Sequence, residues 1–181
     1  HYHNRRYLMT APRIIAYAIA GLVLAASSLS STGVVHAAEK AKGSLTYKGP
    51  KKTFTLALKH AYLVKGPDMF DESKTVRRLV LTGDDFSASI NKADALGGFD
   101  GDLKEGMIVE LADGPRLNYW VVLNGQLVQY SGMVEPSAMS ASTDKPDYLK
   151  GKLAFDDMSA GGAKVIVDFD APLFKSFTKA R

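Results

Sequence analysis

Hydrophobic and polar positions alternate most cleanly along residues 53–64. Phe54, Leu56, Leu58, His60, Tyr62 and Val64 share one parity, and Thr55, Ala57, Lys59, Ala61 and Leu63 the other. Side chains of a strand point alternately to its two faces, so the pattern predicts one strand with the first set turned to the core. A shorter strand precedes it over 43–49 and closes at Gly49-Pro50. Gly66-Pro67 ends the long strand, residues 65–74 read as a loop, and 76–82 form the next strand, with Leu79 and Leu81 on one face.

The period changes over 84–96. Phe86, Ile90, Ala93 and Leu96 recur at near-helical spacing behind the capping candidates Asp84, Asp85 and Ser87, which predicts a short helix. Residues 97–106 read as a loop and 107–111 as a strand ended by Asp113-Gly114-Pro115. Asn124-Gly125, between the runs 118–123 and 126–130, predicts a hairpin with a two-residue type I′ turn, because both residues readily take positive φ. That turn pairs Leu123 with Gln126 and Tyr119 with Tyr130. Trp120, Val122 and Leu127 then fall on one face, and Tyr119, Val121 and Val128 on the other. Two apolar faces argue for an inner position in the sheet. Residues 135–147, rich in Ser, Pro and Ala, read as a mobile loop. Strands at 148–155 and 163–169 follow, joined through Ser159-Ala160-Gly161-Gly162. About eight strands and one short helix define an all-β fold, an antiparallel β-sandwich or, alternatively, a small closed β-barrel. Parallel α/β architecture is excluded, since no crossover helices separate successive strands.

Composition changes the picture mainly at the amino-terminal end. Arg13, the uncharged apolar run 14–26, a Ser-rich stretch and Val35-His36-Ala37 follow one another as a charged start, an apolar centre and a small-x-small cleavage site. This order predicts a secretory signal peptide over 1–37, removed to leave a single β domain over 38–181 that works in the periplasm or outside the cell. Asn4-Arg5-Arg6-Tyr7-Leu8 also resembles a twin-arginine export signal. Ser27, Ser28, Ser30, Ser31 and Thr32 interrupt the apolar run, so no stable membrane anchor is expected after cleavage. Three of the 23 basic residues (Arg5, Arg6, Arg13) and none of the 19 acids lie in the leader. The remaining domain is almost neutral, which gives no electrostatic case for nucleic acid. With no cysteine, disulfides, thiolate metal sites and cysteine nucleophiles are excluded, and packing alone must hold the domain.

Candidate chemistry is sparse. His60 is the one histidine of residues 38–181, which rules out a multi-histidine metal site within one domain. It reads either as a general base or metal ligand, or as a core-edge histidine without a chemical role. There is no G-x-S-x-G elbow for a serine hydrolase. Asp100-Gly101-Asp102-Leu103-Lys104-Glu105 imitates a calcium loop but places Lys104 at an oxygen-ligand position. The acids at 68–72, 84–85, 100–105 and 156–157 otherwise read as turn residues. Tyr119, Trp120 and Tyr130 offer an aromatic platform if exposed. Tyr119 and Trp120 must face opposite ways, and Trp120, the only tryptophan, reads as core before platform. No cofactor or metal is implied.

Leu58-Lys59-His60-Ala61-Tyr62, the acidic loop Gly66-Pro67-Asp68-Met69-Phe70-Asp71, Gly151-Lys152-Leu153-Ala154-Phe155 and Phe169-Asp170-Ala171-Pro172-Leu173 together resemble an uncharacterised group of exported bacterial β-rich proteins. The group carries a K-H-A-Y strand, an F-D loop and an F-D-A-P-L ending. The resemblance implies no catalytic residue, but draws His60, Asp68 and Asp71 together as a candidate functional cluster. Tyr62 and Trp120 are the candidate ligand-binding residues. Three functions stand open: a non-enzymatic module binding a protein or small molecule, a small barrel carrying an apolar ligand within, and an enzyme or metal protein centred on His60.

Overall fold

The structure is a computed structural model that describes residues 39–112 and 114–181. The leader lies outside the described residues. Ten strands form the fold: β1 (Ala41–Lys48), β2 (Thr53–Leu58), β3 (His60–Pro67), β4 (Thr75–Thr82), β5 (Gly106–Leu111), β6 (Leu117–Leu123), β7 (Val128–Val134), β8 (Met139–Lys145), β9 (Tyr148–Asp156) and β10 (Ala163–Ser176). They make one sheet in the order β2-β1-β10-β3-β4-β5-β6-β7, with β9 on β10 and β8 on β9, curled into a half-barrel. Among the described residues no helix is long and apolar enough to cross a membrane.

β10 joins the two halves of the sheet. Lys164 to Pro172 pair with β9 and Ala163 to Phe169 with β1, both antiparallel. Leu173, Lys175 and Ser176 then pair parallel with β3, the register shifting between Leu173 and Lys175. That parallel pair makes the sheet mixed rather than purely antiparallel. It arises because β10 outruns its first partners and is long enough to reach the second half.

Two cores lie on either side of β3–β6. The inner core fills the half-barrel: Leu45, Leu63, Leu79, Leu81, Met107, Val109, Tyr119, Leu153, Val165 and Val167 are all fully buried. Among the described residues, the inner face of the half-barrel is thus lined by buried apolar side chains. The outer core lies on the opposite face of the same strands. Tyr62, Val64, Val80 and Ile108 are covered there by Ile90, Leu96, Phe99, Leu103 and Phe177. Both faces of β3 and β4 are buried for this reason, which suits their Val- and Leu-rich sequences.

The cover begins with α1 (Ser87–Lys92), shorter than the predicted span and buried through Ile90. Its amino-terminal residue, Phe86, has no side-chain cap; Asp85 instead accepts the Ser87 N–H at 2.9 Å. Its last carbonyls would be orphaned, and the Lys175 ammonium donates to those of Ile90, Asn91 and Ala93 at 3.2, 2.8 and 2.6 Å. The chain then runs irregularly through a 3₁₀ turn at Asp100–Asp102.

Three sequence expectations change. The strand predicted over 53–64 is two strands meeting at Lys59, whose N–H bonds to the Thr82 carbonyl at 2.9 Å. The alternation slips by one there: Leu58 shares the inner core with Ala61 and Leu63, whereas Tyr62 and Val64 face outward. The hairpin turn holds four residues, with positive φ at Asn124, Gly125 and Gln126, and pairs Leu123 with Val128 and Tyr119 with Gly132. This register leaves room for Tyr119, because a Cβ at Gly132 would lie 2.7 Å from the phenol ring. It also sends Leu127 into the turn and places β7 at the sheet edge, paired among the described residues only with β6. Finally, the expected mobile loop over 135–147 contains β8, a polar edge strand.

Candidate functional site

β3 separates the residues of the predicted cluster. His60 opens the strand and Asp68 follows its last residue, so eight steps of about 3.3 Å put them roughly 26 Å apart. Asp68 accepts the backbone N–H groups of Phe70 and Asp71 at 2.7 and 2.9 Å, the geometry of an acid that shapes its own turn. Asp71 is held by the Ser73 hydroxyl and N–H and by Lys74, and the Ser73 bonds keep its carboxyl below the usual range. His60 is 8% exposed, its ring stacked 6.3 Å from that of Tyr62, and among the described residues its Nδ1 has no hydrogen-bond partner. Among the described residues no group of three or more acidic or histidine side chains is placed to hold a metal ion.

Tyr62 and Trp120 do share a face. Tyr62, Val80, Ile108, Trp120 and Ser131 form one rung across β3 to β7, with three strand spacings, about 14 Å, between the first aromatic and the second. The Tyr62 hydroxyl donates to Asp85 at 2.8 Å and accepts the Phe86 N–H at 2.9 Å, and burial raises its pKa well above the ordinary tyrosine value. Trp120 is half-buried beside the Arg78 guanidinium, 5.9 Å from its ring centre. Arg78 is 8% exposed and is held by Glu110 and Asp100, each at 3.2 Å. This trio ties the 3₁₀ turn to the sheet, with one guanidinium shared between two carboxylates. A buried arginine in a strand gave no sign of itself in the sequence.

An opening of different character lies between the β1–β2 turn and the β6–β7 turn, where the two ends of the sheet order approach. Tyr47, Pro50, Phe54, Leu127 and Val128 give it an apolar lining, Lys51 and Lys52 stand at its rim, and its volume is about 500 Å³. The local sequence explains its shape. Gly49 donates to the Lys52 carbonyl at 3.0 Å, closing a tight turn that sets Lys52 against the Phe54 ring, its ammonium 4.5 Å from the centroid. On the other side, the four-residue turn leaves Leu127 83% exposed. From this opening an aromatic row runs inward: Tyr47 to Tyr130 at 5.8 Å, Tyr130 to Tyr119 at 5.9 Å and Tyr119 to Phe155 at 4.9 Å. Tyr119 is buried and Tyr130 half-buried, so the condition of exposure set for an aromatic platform is not met there, and the two rings link the cleft to the core.

A larger surface cleft of about 580 Å³ crosses the outer face of β1, β10, β9 and β8. Its lysines (40, 42, 150 and 152) are interleaved with Glu39, Asp168 and Asp170, so its charge is largely cancelled. Lys150 is paired with Asp170 at 3.1 Å. The cleft at the seam is the more apolar of the two, and no acid lines it. Sequence reasoning did not single out Leu127, Lys51 or Lys52 for it, and only the Lys-Gly-Pro-Lys-Lys turn next to aromatics hinted at it. Compared with protein-family models, with curated proteins and with solved structures, the chain finds no match in any of the three.

Proposed function

We propose that this chain is an exported, non-enzymatic binding module whose binding surface is the seam cleft between the β1–β2 and β6–β7 turns. The observation that carries the reading is the contrast between a half-barrel inner face lined by buried side chains and an apolar, ligand-sized opening at its seam. The export half rests on the leader sequence over 1–37. A ligand held here touches Phe54 and Leu127 and lies outside the barrel, unlike the cargo of a carrier barrel.

Among the described residues, Leu127 and Phe70 are the two most exposed large apolar side chains, at 83% and 90%. They stand at opposite ends of the sheet half formed by β3–β7. A photo-crosslinking amino acid placed at each position in turn, in cells exporting the protein, tests the reading. A specific adduct from position 127 and none from position 70 is expected. An adduct from position 70 alone would move the binding surface to the β3–β4 loop. Substrate turnover abolished by His60→Ala would replace a binding function with a catalytic one.

A further inference from the structure

The seam cleft carries a charge pattern that narrows its ligand. Lys51 and Lys52 are the charged residues of its lining, and among the described residues neither makes an ion pair with a carboxylate. Lys48, Lys104 and Lys179 also have no ion pair among the described residues, so what sets Lys51 and Lys52 apart is the acid-free apolar trough beside them. Lys52 is also held in place by its position over the Phe54 ring. Two uncompensated cations beside an apolar trough complement a molecule with an anionic head and an apolar body.

Resting on the reading of this cleft as the binding surface, we infer that its ligand is a free single-chain amphiphile with one anionic head group. The head lies between Lys51 and Lys52, and the chain lies along Phe54, Tyr47 and Leu127. The volume of about 500 Å³ is that of a small-molecule site. A membrane surface is the poorer occupant. Among the described residues Leu127 is the one strongly exposed large apolar side chain at this end, Met69 and Phe70 lie at the other, and one side chain buries too little for stable membrane attachment.

The test is a calorimetric and methyl-NMR titration of the domain with decanoate, decanol, decyltrimethylammonium and phosphatidylglycerol vesicles. Decanoate is expected to bind and to shift the Leu127 and Val128 methyl signals. Decanol is expected to bind roughly tenfold more weakly, and the cation not measurably. The double variant Lys51→Glu/Lys52→Glu, altered only on the surface, should lose decanoate binding by at least roughly tenfold with an unchanged circular dichroism spectrum. Equal binding of all three soluble probes at the cleft would overturn the anionic assignment while leaving the binding surface in place. Capture by vesicles with no response to decanoate would assign a membrane instead. Shifts confined to residues outside the cleft, or none with any probe, would overturn the inference, and the crosslinking result then decides the fate of the broader reading.

Discussion

Tyr62 and Tyr119 lie on opposite faces of the same sheet and are built alike. Each phenol donates to an aspartate at 2.8 Å, Tyr62 to Asp85 and Tyr119 to Asp157, and each oxygen also faces a backbone N–H. Their surroundings differ. Tyr119 is enclosed by strands and closed in by Gly132 and Gly162, where a Cβ would stand 2.7 and 2.6 Å from its phenol oxygen. Tyr62 helps to hold down the cover, residues 84–103, which packs through Ile90, Leu96, Phe99 and Leu103 and is also attached by Arg78 with Asp100, by Lys175, and by Leu96 and Gly97 bonding to the carbonyls of Lys179 and Ala180. The inner face covers itself through strand alternation. The outer face has to borrow a cover, and polar anchors fix it. Segments attached in this way open at lower free energy than strands packed in a core.

The comparison is broken most forcefully at Tyr119. Tyr119→Ala should cost about 3–5 kcal/mol in denaturant unfolding, as for other large buried aromatics. A cost below about 1 kcal/mol would mean that the inner core is not the one described. Gly132→Ala should cost about 1–3 kcal/mol by forcing a methyl group against the ring. In a Tyr119→Leu background that cost should shrink, whereas Gly101→Ala, with open space around it, should be neutral in either background. Tyr62→Phe should cost about 1 kcal/mol. Its signature is faster hydrogen exchange across 84–103 with β6, β9 and β10 unchanged, and uniform acceleration would show the cover and strands to be one cooperative unit.

The smallest effect concerns alkali. Burial, more than the neighbouring aspartates, raises both phenols above the ordinary tyrosine value of 10.0. As pH climbs past that value, tyrosines of the unfolded chain ionise while these two keep their protons. The native state then binds more protons, and stability falls with rising pH. Tyr119→Phe and Tyr62→Phe should each flatten that decline, and a slope unchanged in both would refute the burial of the phenols.

How far the sequence reaches follows the same division between the two faces. The parity of Leu79 and Leu81, and of Tyr119 and Val121, grouped residues that do share the inner core, because regular strands keep period two, but parity alone did not say which face is the inner one. The phase slip at Lys59 was hidden: apolar residues sit on both sides of it at unbroken spacing, and only the bond to Thr82 shows the corner. β8 lacks an apolar stripe, since most of its residues face solvent, so it read as a loop. Pro172 masked the length of β10 by closing the pairing with β9 where a strand would be expected to stop. At the site, the turn roles of Asp68 and Asp71 were legible because their partners are two or three residues away. The seam cleft was not legible, because it joins residues 47–54 to 127–129 through a turn length that the packing of Tyr119 selects.

The most direct test of a ligand held at the seam rather than inside the half-barrel is native mass spectrometry of the protein purified from its own source. Wild type and Leu127→Asp would be weighed before and after denaturation. The account predicts a small anionic adduct on the wild type, lost on denaturation and missing from the variant. An adduct retained by Leu127→Asp, or a wild-type protein that weighs only its own chain, would contradict it.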